Sequence, residues 1–286
     1  MSKNAAGIIA GLILIIFFLS NVSLAQNKEI QSLSGTLVVA VPINEGLVTC
    51  SDKRLFNDQT HTVDDSFVKI RKVNSNTLFV ATNTIGFLNK TTGKMEFDVF
   101  EITAGYTARH NFSGGPQFWD GLKEEIRKQL LAYLAKQRFE DWPATDVANN
   151  KLLFNLVFFS TAGNRARSYS LSVFYEKAKI PVIYTPGMVM SEVKTPQVIG
   201  KGKDVMLYLS RNPQVAQDPS ILRFDEGHFN LKQIARVDAV NFAARLFSLT
   251  NKELPQTKVS ATHDCALLSY QNGFQWIDDL GLPIKP

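Results

Sequence analysis

The chain from residue 37 onward alternates short apolar runs with turn-rich triplets. Leu37 to Ile43 and Leu47 to Asp52 are apolar and β-branched and flank Asn44-Glu45-Gly46, which predicts a β-hairpin. Phe67 to Val73 alternates apolar with basic residues, and Thr77 to Thr82 follows after Asn74-Ser75-Asn76, predicting a second hairpin by the same two-residue period. Residues 83 to 116 read as loop with one strand at Phe97 to Ile102, closed by Ser113-Gly114-Gly115-Pro116. The period then changes. From Gln117 to Gln137 the apolar positions Trp119, Leu122, Ile126, Leu130, Tyr133 and Leu134 recur at three- and four-residue spacing, with Lys123, Glu124, Arg127 and Lys128 between them, predicting a long amphipathic helix. Leu153 to Ser160 and Ser168 to Tyr175 read as strands joined across Gly163-Asn164. Further helices are expected near Asp204 to Leu209 and over Leu231 to Leu249, and strands at Asp264 to Tyr270 and Gly273 to Ile277.

That order, without strict strand–helix–strand alternation, favours an α+β fold of antiparallel sheets with segregated helices. No repeat, low-complexity tract or linker divides residues 36 to 286, so a single domain is expected there. The first 25 residues differ in kind. Lys3 precedes the apolar run Gly7 to Leu19, and Ser23-Leu24-Ala25 supplies small residues where a signal peptidase cuts. An export signal is expected at 1–25, with a short propeptide at 26–35. The apolar run falls short of the roughly 20 residues that span a bilayer, so no stable membrane anchor is expected after cleavage, and the protein should be periplasmic or extracellular.

Composition narrows the partners. The 286 residues carry 31 Lys and Arg against 26 Asp and Glu, a net charge of +5, but no basic block exceeds two residues, so a nucleic-acid groove is not indicated. Two cysteines, Cys50 and Cys265, are too few for a zinc site or a cystine scaffold and allow one optional disulfide. No metal or cofactor is expected. His228 and the His263-Asp264-Cys265 run lack the spacing of metal or Cys/His sites, and Gly200-Lys201-Gly202-Lys203 lacks the phosphate-loop pattern.

The first hairpin has a chemical consequence. A turn centred near Asn44 sets Thr36 opposite Asp52 and Val38 opposite Cys50, and pairing of the next strand brings Lys69 to the same point. A strand-end Thr, Asp and Lys are ordinarily only a solvated ion pair with a neighbour. Gly35 immediately before Thr36 changes that reading. A cut there makes Thr36 a new N-terminus whose α-amino group, with a pKa of about 7.7–8.0, acts as base toward its own hydroxyl. Lys69 would hold that pKa down and Asp52 would orient and balance the lysine.

These residues resemble the proteasome family of N-terminal nucleophile hydrolases. Gly35 to Val41, continuing through Gly46 to Asp52-Lys53-Arg54, is similar to the family's opening hairpin with its acidic-x-Arg ending; Thr36 stands at the catalytic threonine, Asp52 sixteen residues on, and Lys69-Ile70 at the family's lysine after a one-residue insertion. Phe79 to Gly86, Val198 to Gly202, Asp238 to Ala244, and Val259 to Leu268 with Asp264 resemble later family segments. The resemblance implies a four-layer αββα sandwich of two antiparallel sheets flanked by helices. It implies an exported threonine-type peptidase or amidase, activated by autocleavage at Gly35-Thr36, with Thr36, Asp52 and Lys69 catalytic. Arg54, Gly200, Lys201, Gly202 and Asp264 stand in support, the substrate is a peptide or amide, and the protein is a homo-oligomer. Lys201 replaces the serine of the family's Gly-Ser-Gly turn, and Gln256 and Val259 fall where further supporting Asp and Ser are placed. The altered support leaves a non-catalytic scaffold or binding protein of the same fold as the alternative, and a non-peptide amidase as a third reading.

Overall fold

The computed structural model describes residues 31–284 except 35, 58–60, 62, 90–91, 144–150 and 226. The export signal, residues 26–30 of the propeptide and Gly35 therefore lie outside the described residues. The strands in chain order are β1 (Gln31–Ser34), β2 (Leu37–Ile43), β3 (Gly46–Asp52), β4 (Leu55–Asn57), β5 (Val63–Asp64), β6 (Arg71–Asn74), β7 (Thr77–Asn83), β8 (Gly86–Leu88), β9 (Met95–Asp98), β10 (Leu152–Ala162), β11 (Arg165–Glu176), β12 (Val182–Tyr184), β13 (Val189–Glu192), β14 (Gln197–Gly200), β15 (His263–Ser269) and β16 (Gly273–Ile277). The principal helices are α1 (Val99–Arg109), α2 (Pro116–Leu134), α3 (Gly202–Arg211) and α4 (Arg236–Glu253), with one-turn helices at Pro213–Ala216 and Pro219–Leu222.

Two antiparallel sheets stack face to face. One runs β14-β2-β3-β15-β16; the other runs β12-β11-β10-β7-β6, with β13 also on β11. Val38, Ala40, Leu47, Ala266 and Leu268 from the first meet Leu78, Val80, Val157 and Phe159 from the second, with Ile70, just ahead of β6, packed among them. The opposite face of each strand carries the next residue along, as the period of two demands. Leu37, Val39, Val41, Val48, Cys50 and Leu267 thus face α3 and α4, packing on Val205, Ala239, Ala243, Leu246 and Phe247. Phe79, Phe154, Phe158, Leu171 and Val173 face α1 and α2, packing on Phe100, Trp119, Leu122 and Ile126. The result is the αββα sandwich. No helix among the described residues is long and apolar enough to cross a membrane.

A third, smaller sheet was not expected. Its order is β5-β4-β1-β8-β9, so β1, the segment just before Thr36, is the middle strand, antiparallel to both β4 and β8. Leu33 of β1 is only 3% exposed and joins the aromatic core beside Leu55, Phe87 and Phe97.

Several sequence expectations are corrected. Phe97 to Ile102 is not a strand: β9 ends at Asp98, whose carboxylate accepts from the amides of Phe100 and Glu101 and starts α1. The supposed loop over 83–116 is thus β8, β9 and α1. Residues 67–70 are not in a strand, since β6 begins at Arg71, and the last long helix starts at Arg236 after a 3-10 turn at Leu231–Gln233. Cys50 and Cys265 face each other across β3 and β15, with Cα atoms 4.1 Å apart, and are bridged.

Candidate active site

The register of β2 on β3 departs from expectation by one residue. Val38 lies opposite Ser51 and Val39 opposite Cys50, because the turn holds two residues, Asn44 and Glu45, rather than three. A one-residue slip moves side chains to the other face. Val38 therefore enters the interlayer while Cys50 faces the helices. At the open end of the hairpin Asp52 meets the Leu37 amide rather than lying directly opposite Thr36: Leu37 N donates to Asp52 Oδ1 at 2.7 Å.

The other carboxylate oxygen holds the lysine. Lys69 Nζ lies 3.0 Å from Asp52 Oδ2 and donates to the Arg54 carbonyl at 2.5 Å, and the Arg54 amide donates to Asp52 Oδ2 at 3.2 Å. Both side chains of this ion pair are 0% exposed. Burial pushes the Asp52 carboxyl above its ordinary range, against the pull of Lys69 and the amides of Leu37 and Ser260. Burial likewise holds Lys69 below the ordinary lysine value, opposed by Asp52 and Asp65 and abetted by Arg54.

Thr36 is 1% exposed and is pinned by its backbone. Its carbonyl accepts from the Lys201 amide at 3.1 Å, at the start of α3. Gly200, at the end of β14, pairs with Leu37. It has φ +77°, and a Cβ there would sit 2.3 Å from the Thr36 carbonyl oxygen. Glycine is thus required both by the left-handed backbone and by the close approach. Gly202, buried, is the first residue of α3. The Gly200-Lys201-Gly202 turn therefore touches Thr36 through backbone groups, so the replacement of serine by Lys201 leaves this contact in place.

Thr36, Asp52, Lys69, Arg54, Gly200 and Lys201 form one connected region. Asp264 stands apart from it: it lies opposite Ser51 on β15, and its Oδ1 is 3.4 Å from Lys53 Nζ. Gln256 is exposed and Val259 packs in the core with α4, so neither supports the site. The polar residue next to Val259 is Ser260, which is buried, helps hold the Asp52 and Asp65 carboxyls down, and pairs its hydroxyl with Thr262 Oγ1 at 2.6 Å. Sequence counting missed it by one position, and Lys258, with φ 60°, is a left-handed residue within that stretch. Asp65 was also missed; it lies in the turn after β5, and its only sequence signal was an acidic pair, Asp64-Asp65, just ahead of Lys69. Among the described residues no group of three or more His, Cys, Asp or Glu side chains converges as a metal site.

No family model matches the chain, and no curated protein does. Two of the solved structures similar to the chain are Anbu proteins. The Gly-1 mutant of Anbu from Hyphomicrobium sp. strain MC1 shares 12% identity over 84% of this chain and 84% of its own, with a TM-score of 0.47. Anbu from the same strain shares 11% identity over 83% of this chain and 84% of its own, with a TM-score of 0.43. The chemistry of this chain is accordingly read from its own side chains.

Proposed function

We propose that the chain is an exported threonine-type N-terminal nucleophile hydrolase of the proteasome β type, acting on a peptide or other amide after cleavage between Gly35 and Thr36. The observation that carries this reading is the fully buried Lys69–Asp52 pair, fixed by the Arg54 carbonyl and by the Leu37 amide of the residue next to Thr36. Burying two charges costs several kcal/mol per ion after relaxation, a cost that a surface ion pair avoids and that a catalytic site uses.

In the cleaved chain the Thr36 α-amine takes the proton from its own Oγ as that oxygen attacks the substrate carbonyl. The amine then passes the proton to the leaving nitrogen as the C–N bond breaks, leaving an ester on Thr36. Water adds to the ester carbonyl, the amine again relays the proton, and the carboxylic acid departs with the Oγ–H bond restored. The positive charge of Lys69 favours the free-base form of the amine, and Asp52 keeps that charge in place.

Mass spectrometry of the purified protein is expected to find the N-terminus at Thr36. Thr36→Ala should abolish both processing and labelling by a threonine-directed electrophile; a chain that begins stably at Gln26 would overturn the proposal. One observation favours the second reading, a non-catalytic scaffold: β1 is the middle strand of its sheet and Leu33 is buried in the core, so the segment before Thr36 has a structural role. Under that reading Thr36→Ala changes neither the N-terminus nor the labelling.

A further inference from the structure

A second set of side chains surrounds the Lys69–Asp52 pair without being part of it. The Arg54 guanidinium grips Asp65 with two parallel bonds, Nε to Oδ1 at 2.8 Å and Nη2 to Oδ2 at 3.0 Å, while Nη1 donates to Asn251 Oδ1 at 3.3 Å, in the last turn of α4. Arg54 also holds the buried pair through its own backbone. The Arg54 carbonyl accepts from Lys69 Nζ and the Arg54 amide donates to Asp52 Oδ2. Two segments separate in sequence, 52–54 and 65–69, are thereby tied together around the buried pair.

We propose that Asp65 is a positioning residue: through the Arg54 fork it fixes the Arg54 backbone groups that hold the Lys69 ammonium and the Asp52 carboxylate beside Thr36. Its part in catalysis rests on the hydrolase reading given above; its effect on Lys69 does not. A planar fork on a carboxylate sets orientation as well as distance, which a lysine at position 54 cannot reproduce. The half-exposed Arg54–Asp65 bridge contributes little to stability on its own. Its consequence is geometric, and displacement of a reacting group by about 1 Å can cost about 100-fold in rate.

The charged groups facing Lys69 are Asp52 at the end of β3, Arg54 just beyond it and Asp65 after β5. Removing the Asp65 charge takes away one of the two anions that favour the ammonium, so the lysine should lose its proton at lower pH. The test uses the full-length protein and Asp65→Asn, Asp65→Glu and Arg54→Lys. Two measurements are made on each: the titration midpoint of Lys69 by NMR of ¹³Cε-labelled lysine, and kcat and KM on a peptide amide. Expected are a lowered Lys69 midpoint in Asp65→Asn, a fall in kcat of up to about 100-fold at steady KM in Asp65→Asn and Arg54→Lys, and recovery of both quantities in Asp65→Glu. An unmoved Lys69 midpoint overturns the proposal, as does a moved midpoint with unchanged kcat in an active wild type. If the wild type is neither cut at Thr36 nor active, the hydrolase reading falls, and the Lys69 midpoint alone then decides whether Asp65 acts on the lysine.

Discussion

At the scale of single residues, the structure turns on two charges taken out of water together. Removing one partner of such a pair strands the other, which typically costs about 3–5 kcal/mol, whereas replacing both by neutral groups is often tolerated. Lys69→Met is therefore expected to destabilise the fold by about that amount. The double variant Asp52→Asn/Lys69→Met should recover most of the loss while remaining inactive, which urea unfolding and an amidase assay would establish. Asp65 behaves differently with pH. Arg54 holds its carboxyl below the ordinary value of 3.8. Its contribution to stability is then fully present above that value and is lost as pH falls through the lowered folded value. Unfolding midpoints followed from about pH 5 to about pH 2 should decline less steeply in Asp65→Asn than in the wild type.

Among the secondary-structure elements, the clearest local dependence is α1. Asp98 closes β9 and caps the helix through the amides of Phe100 and Glu101, so Asp98→Ala should cost about 1 kcal/mol, read from thermal or urea unfolding. This helix also shows where the sequence misleads. Val99, Phe100, Thr103 and Tyr106 are buried at helical spacing, but the run FDVFEI, apolar at 97, 99, 100 and 102, passes equally for a strand. Asp98 as a cap was the deciding signal. The long helix before Ala135 was legible from one sustained helical period, and the hairpins β2–β3 and β10–β11 from apolar, β-branched or aromatic runs set between strong turn signals. The β2–β3 register was not, since Asn44-Glu45-Gly46 suits a turn of two or three residues and only the packing of Val38 against the facing sheet distinguishes them. The site was legible to the same extent. Thr36, Asp52, Lys69 and Arg54 sit on or beside a recognisable hairpin, whereas Ser260 and Asp65 come from irregular stretches where position along the chain carries no period. Asp264 was drawn in by its place in a strand, and its carboxylate turned out to serve Lys53.

For the molecule as a whole, the Cys50–Cys265 bridge joins strands 215 residues apart in sequence, two residues before Asp52. Loss of a native disulfide typically removes about 2–5 kcal/mol. Cys50→Ala/Cys265→Ala should lower the unfolding midpoint accordingly, and non-reducing peptide mapping should recover the linked pair from protein produced in an oxidising compartment but not from protein produced in the cytosol.

The seat of β1 has a last consequence. A chain severed ahead of Thr36 would still hold its leader strand by ladder bonds to β4 and β8 and by the burial of Leu33. Nicking and departure become separate events, the second requiring two pairs of strands to lose the neighbour that joins them. A freshly matured sample should therefore migrate as two pieces under denaturing conditions yet travel as one body in a native separation. The cut fragment, rather than the scissile bond, then sets how soon the segment ahead of Thr36 departs.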